Sequence, residues 1–281
     1  MNRVRIVTDS TGDIPTGLAA QLHIDVVPAY IQIANRSYPD APTPDGLGRK
    51  EFYAQLPTMS STPTTAVPPA HEFARIYHNL SDKTEAVMAI VLSSNLSGMY
   101  SVACLGAQET PATEVHVVDS EQVTMGLGWM VIAAAEAAAE GQNISEILAL
   151  VEDMKPRVHV YALLDTLEYL RRSGRVSWAR AKAAQILRIK PIIEVFMGQV
   201  KNVGRTRTRR RAIEQLIELV QALGPVERLA VLHTYAPEVE EIHTRLADLY
   251  PSQRPLTVPV TTIIGAHVGP RGLGVAAVTA R

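Results

Sequence analysis

The chain of 281 residues reads as an α/β protein made of two α/β domains. The N-terminal one is expected to hold a mostly parallel sheet flanked by helices, the C-terminal one a mixed sheet with helices. Three observations carry this reading. The length exceeds one ordinary domain and suits two. The first half alternates short β-branched runs with helix-like segments, the rhythm of parallel strands joined by crossover helices. The second half contains an alternating run and a hairpin signal, which favour mixed or antiparallel pairing. The boundary is placed at Lys155-Pro156, giving residues 1–155 and 156–281.

Taken in order, Val4–Thr8 is a strand, followed by the turn-and-cap string Asp9-Ser10-Thr11-Gly12-Asp13-Ile14-Pro15 and a helix running to Leu22. Asp25–Pro28 is a second short strand. Asn35 to Pro69 holds seven of the 18 prolines and no clear period, the mark of a functional loop or lid. Ala86–Leu92 is continuously apolar, as expected of a strand buried on both faces. Val115–Val118 is another strand, and a long Ala-rich helix spans about Glu121 to Glu140, with Gly141 as its stop. Val158–Leu163 alternates, and Asp165–Arg172 is helical. Pro191–Val195 and Gln199–Val203 flank Phe196-Met197-Gly198 as a hairpin. Thr206–Leu223 is a helix, Leu229–Thr234 a strand, Glu238–Tyr250 a helix. Leu256–Ile264 and Gly274–Thr279 are strands separated by the glycine-rich AHVGPRGLG.

Composition excludes several function classes. Hydrophobic residues make up 47% and aromatics only 5%, so the chain folds around an aliphatic core. Cys104 is the only cysteine, which rules out an intrachain disulfide and a cysteine-rich zinc site. A formal net charge of −1 argues against coating nucleic acid by bulk electrostatics. The apolar run from Leu127 to Ala139 is broken by Glu136 and too short to span a bilayer, and no targeting segment is visible. The expectation is a soluble, cytoplasmic protein. The eight histidines show no metal-ligand spacing, and G-x-S-x-G, Walker A and G-x-G-x-x-G motifs are missing, so neither a metal nor a nucleotide cofactor is expected.

Hydroxyl-rich clusters stand at the carboxyl ends of the predicted parallel strands: Thr8-Asp9-Ser10-Thr11, Ser93-Ser94 with Ser97-Gly98, and Asp119-Ser120. Ligands of open α/β sheets bind in that crevice, although the same residue types also cap helices with no ligand present. Together they suggest an oxyanion held by neutral donors. His267 sits in a Gly/Pro loop after an apolar strand and is either a solvated residue or part of that site. Arg205, Arg207, Arg209, Arg210 and Arg211 crowd a predicted helix N-terminus, where the macrodipole disfavours cations. The placement is either a solvated helix face or a surface for an anionic partner. Nucleic acid is the weaker choice of partner, because few aromatic residues stand ready to stack bases.

In the order and spacing of its motifs the sequence resembles the DegV family of fatty-acid-binding proteins, including the binding subunits of bacterial fatty acid kinase. The strings are VTDSTGDIP, IDVVPAYIQI, PTTAVPPAHEF, SSNLSGMYSVA, VVDSEQVTMGLG, LEYLRRSGRVS, LRIKPIIEV and IGAHVGP, spread over the whole chain. The resemblance implies two α/β domains with the ligand between them. It implies a long-chain fatty acid such as palmitate in an apolar tunnel, its carboxylate at the mouth on Thr65, Ser97 and His267. Thr64 and Ser94 would support that mouth. Arg175 and Arg207 would serve phosphoryl transfer by a separate ATP-dependent fatty acid kinase, the chain itself being a non-catalytic carrier. A stand-alone small-molecule phosphotransferase, or a nucleic-acid-associated regulatory protein using the Arg205–Arg211 run, are the alternatives. The chain departs from the family pattern at Ala66-Val67-Pro68-Pro69, where Ser-Gln-Pro-Ser is usual. Met99 stands where a threonine is usual, and Arg271 where a glycine is.

Overall fold

A computed structural model describes residues 3–43, 45–181 and 189–281. Leu187 and Arg188, which open the LRIKPIIEV string, lie outside the described residues. The strands of the N-terminal domain are β1 (Val4–Asp9), β2 (Asp25–Val27), β3 (Tyr30–Ile33), β4 (Arg36–Pro39), β5 (Thr64–Ala66), β6 (Ala86–Val91) and β7 (Val115–Asp119). Those of the C-terminal domain are β8 (Val158–Leu163), β9 (Lys190–Phe196), β10 (Gln199–Thr206), β11 (Val226–His233), β12 (Leu256–Pro259) and β13 (Leu273–Thr279).

They form three sheets. β2-β1-β6-β7 is wholly parallel, with Val4 opposite Ala86 and Val87 opposite Val115. All six residues of β6 are buried, as a continuous apolar run in a parallel sheet requires. β10-β9-β8-β13-β11-β12 is mixed, antiparallel except for the β11–β12 pair. A small antiparallel sheet, β4-β3-β5, stands beside them. Both domains are therefore α/β, with the parallel sheet in the first and the mixed sheet in the second.

The Thr124–Ala139 helix holds the two large sheets together. It packs against β1 and β6 on one side and β8, β11 and β13 on the other, and fourteen of its sixteen residues are buried. A helix covered all round must be apolar all round. It must also be thin. A Cβ at Gly126 would stand 2.6 Å from Cγ2 of Val160, and one at Gly128 would stand 2.5 Å from the carbonyl oxygen of Gly12. Side chains of the mixed sheet alternate accordingly. Val160, Val195 and Ala276 face this helix, while Tyr161, Ile192 and Val275 face the Arg209–Gln221 and Val239–Leu249 helices behind. The central helix ends at Gly141 (φ +85), where Gly141 and Gln142 N–H groups return to the carbonyls of Ala138 and Ala137.

Several boundaries differ from the sequence reading. The long helix begins at Thr124 rather than Glu121. The Asp119 carboxylate takes the Glu121 N–H (2.9 Å) and the Ser120 hydroxyl takes the Gln122 N–H (3.1 Å), local bonds that compete with a helical turn. Leu256–Ile264 is not one strand. β12 stops at Pro259 and a short helix, Thr262–Val268, follows, capped by the Thr261 hydroxyl on Ile263 N–H and ended by Gly269 at φ +81. A short apolar run carries no period that separates strand from helix. His267 therefore lies in the last turn of a helix, not in a loop.

The arginine run is divided too. Arg205 lies on β10, Arg207 follows it, and only Arg209, Arg210 and Arg211 open the next helix, which Thr208 caps. Arg209 there is paired with Glu238 (3.1 Å) and Asp165 (3.7 Å), so its cation is balanced within the fold. The proline-rich stretch from Asn35 to Pro69 contains β4, the Arg49–Gln55 helix with buried Phe52 and Tyr53, and β5, so part of it is core. The hairpin is present with a shorter connection than read: Phe196 pairs with Gln199 on the strands, and Met197 (φ +48) and Gly198 (φ +70) form a two-residue turn. Among the described residues no helix is long and apolar enough to cross a membrane.

The close approach at Gly128 is testable. Gly128→Ala is expected to cost about 2 kcal/mol, because backbone rather than a movable side chain opposes the new methyl. A lowered urea midpoint at unchanged slope would show it, and an unchanged midpoint would refute the packing described.

Candidate functional site

A cavity of about 420 Å³ opens where the carboxyl ends of β1 and β6 face β9, β10 and the Thr262–Val268 helix. Its wall is mostly aliphatic, with Thr11, Thr65, Ser97, Arg175 and His267 as the polar exceptions. A second, apolar void of about 70 Å³ shares Val123, Ile193, Val195, Ile264 and Val268 with it and reaches Leu163 and Leu232 on the mixed sheet. The two voids thus lie on either side of the same five aliphatic side chains.

Strand alternation aims Thr65. It is the middle residue of β5, paired with Ile31 of β3, and its Oγ1 lies 3.1 Å from Nε2 of His267. Thr64, one residue earlier, points away and its exposed hydroxyl donates to Gln32 Oε1 at 3.3 Å. Ser97 belongs to the turn after β6. Its N–H donates to the Ser93 carbonyl (3.1 Å) and its Oγ accepts from Met99 N–H (3.2 Å), at the start of the Met99–Gln108 helix. Ser94, also predicted at the mouth, is exposed and gives its N–H to the Asp119 carboxylate at 3.2 Å. It does not line the cavity.

His267 reaches the cavity from the end of its helix. Nδ1 is buried and has no hydrogen-bond partner among the described residues. Burial, with the Arg175 guanidinium adding to it, pushes the ring down to about 4, so the imidazole is neutral at pH 7. Arg175 stands on an exposed turn after Gly174 (φ +69), which ends the Glu168–Ser173 helix, and its Nη1 donates to the Ser173 carbonyl (2.9 Å). Arg207 is exposed between β10 and the Thr208 cap and is not part of the cavity wall.

Thus Thr65, Ser97, Arg175 and His267 come together, while Thr64, Ser94 and Arg207 stand outside. Thr11 joins the wall. It is fully buried, and its hydroxyl donates to Asp9 Oδ1 at 2.5 Å. The TDST string had flagged the cluster but not which member faces inward. Of the positions expected to depart from the family pattern, Ala66, Val67 and Met99 line the cavity, while Pro68, Pro69 and Arg271 do not. Arg271 sits at φ +61, a conformation that accounts for the glycine usual there. Among the described residues no three His, Cys, Asp or Glu side chains gather as metal ligands. The arrangement can hold a small oxyanion on neutral donors while enclosing an attached aliphatic chain.

Comparison with known proteins agrees. The model of the DegV family, described as uncharacterised proteins, matches residues 3–280. A DegV domain-containing protein of Caldanaerobacter subterraneus is 32% identical over 279 residues, covering 98% of each chain. Protein DegV of Bacillus subtilis is 31% identical over 277 residues, covering 97% of this chain and 98% of its own. Among solved structures, a DegV family protein from Thermus thermophilus described for its fatty acid binding superposes with a TM-score of 0.90 at 31% identity, over 99% of this chain and all of its own. The crystal structure of DegV from Bacillus subtilis, described as a fatty acid binding protein, gives 0.88 at 29% identity over the full length of both. The chain belongs to the DegV family.

Proposed function

We propose that this protein binds a long-chain fatty acid such as palmitate, with the carboxylate on Thr65, Ser97 and His267 and the acyl chain in the tunnel. The observation that carries the reading is the pairing of neutral donors at one end of the cavity with apolar walls along the rest. The fatty acid binding of the Thermus and Bacillus relatives supports it. Each buried methylene contributes about 0.8 kcal/mol, so fourteen of them supply about 11 kcal/mol gross. Ordering and association remove several kcal/mol of that, leaving an affinity in the micromolar-to-nanomolar range. The head group then needs only to have its water replaced, since an unpaired buried carboxylate is costly.

The protein acts as a non-catalytic carrier that presents the acid to a separate ATP-dependent fatty acid kinase, which forms the acyl-phosphate. Arg175, at the cavity mouth, and the exposed Arg207 belong to this phosphoryl side, where cations stabilise the charge that develops on transfer. The lone thiol of Cys104 suits the reducing cytoplasm.

Native and denaturing mass spectrometry of the purified protein tests the central claim, through a released mass equal to a fatty acid. Thr65→Val combined with Ser97→Ala is expected to keep the fold and weaken acyl binding by at least about tenfold, the loss of two hydrogen bonds to a charged group. Unchanged occupancy would remove these residues from the site. Arg207→Ala should bind the acid normally and fail in acyl-phosphate formation with the kinase; loss of binding itself would overturn that division.

The neutral imidazole adds a pH signature. His267 titrates near 4 in the folded chain and at 6.5 when exposed, so between these values only the unfolded chain takes up the proton. Its contribution to stability is complete above about pH 6.5 and is lost as the pH falls toward 4. His267→Gln should flatten that slope in denaturation midpoints measured from pH 4 to 7.

A further inference from the structure

We infer that Asp13 is the positioning residue for His267, acting by tying together three of the segments that wall the cavity; its meaning for ligand binding rests on the fatty acid reading above. Asp13 follows the Ser10–Gly12 turn after β1, in the left-handed region (φ +53) and 2% exposed. Its Oδ1 accepts the N–H of Thr261 at 2.7 Å and lies 3.3 Å from Nη1 of Arg49. Its Oδ2 accepts the Thr124 hydroxyl at 2.6 Å.

Its two hydrogen-bond donors, Thr261 and Thr124, both lead to the cavity. Thr261 caps the helix that carries Ile263, Ile264 and His267. Thr124 follows Val123, which lines both voids, and opens the central helix at φ +46. Asp13 itself stands two residues after Thr11. One carboxylate thus fixes the β1 corner, the start of the central helix and the start of the His267 helix relative to one another.

The surroundings reinforce that corner. Asp40 Oδ2 accepts the Thr261 hydroxyl at 2.5 Å, and the Tyr53 hydroxyl reaches the carbonyls of Val260 and Thr261, both at 3.0 Å. Arg49 donates to the Pro259 carbonyl. At the far end of the same helix the Thr234 hydroxyl donates to the Gly269 carbonyl (2.9 Å) and accepts Gly272 N–H (2.5 Å). The seven-residue helix is therefore held at both ends, and its His267 ring moves with whichever end is released. A carboxylate suits the first end because one group must accept an N–H and a hydroxyl and face a guanidinium at once. Burial raises its pKa to about 7 against the pull of Arg49, so the position carries an energetic cost that packing alone would not demand.

The test compares Asp13→Ala with Glu136→Ala, which breaks the ion pair of Glu136 with Arg228 elsewhere between the domains. The readouts are the imidazole ¹⁵N shifts of His267, assigned by their loss in His267→Gln, and the rate of palmitate release. Asp13→Ala should shift the His267 resonances and speed release by about tenfold, the equivalent of about 1.4 kcal/mol, while Glu136→Ala leaves both as in the wild type. Wild-type His267 resonances in Asp13→Ala, or equal effects in the two variants, would overturn the assignment. If Asp13→Ala does not accumulate folded, Thr124→Val, which removes the hydroxyl that Asp13 Oδ2 accepts, carries the same comparison. If the wild type takes up no palmitate, the fatty acid reading fails and the imidazole resonances alone decide the role of Asp13.

Discussion

The Thr124–Ala139 helix has to be apolar on every side, because a parallel sheet covers one flank and a mixed sheet the other. That requirement shapes the rest of the molecule. It sets the spacing of the two sheets, and it forces glycine where Val160 and Gly12 approach. The helix starts only at Thr124, and Val123 just before it already borders the tunnel. Beyond that point the two sheets are parted by the cavity, which the short Thr262–Val268 helix also lines.

The chemistry at the mouth separates two kinds of recognition. Hydroxyls and a neutral imidazole line the cavity, while the guanidinium of Arg175 stands on an exposed turn. A buried ion pair would grip a carboxylate strongly and desolvate both partners at a large penalty. Neutral donors such as those on this wall would satisfy an anionic head group at a smaller desolvation penalty.

How much of this was legible depended on the strength of local signals. β6 declared itself by six successive apolar residues, the central helix by length and its Gly141 stop, the hairpin by Met197-Gly198. The Thr262–Val268 helix was hidden because seven residues after a proline show neither period clearly. Thr65 could be told from Thr64 only once a strand was known to run through both. The tunnel wall could not be read at all: Ile193, Val195 and Ile264 are the same residues that fill an ordinary core, and only the space beside them distinguishes the two. Asp13 was grouped with capping residues of its turn, and its partners, Thr124 and Thr261, are 111 and 248 positions away.

The central helix belongs by sequence to the first half of the chain but completes the core of the second. Its Trp129 donates to the Ala276 carbonyl at 3.3 Å, and Val160, Val195 and Ala276 share one apolar cluster with it. The face of the mixed sheet behind it has a separate core, but the face toward the first half is closed only by this helix. Separated at their connecting turn, each would expose a broad aliphatic face to water.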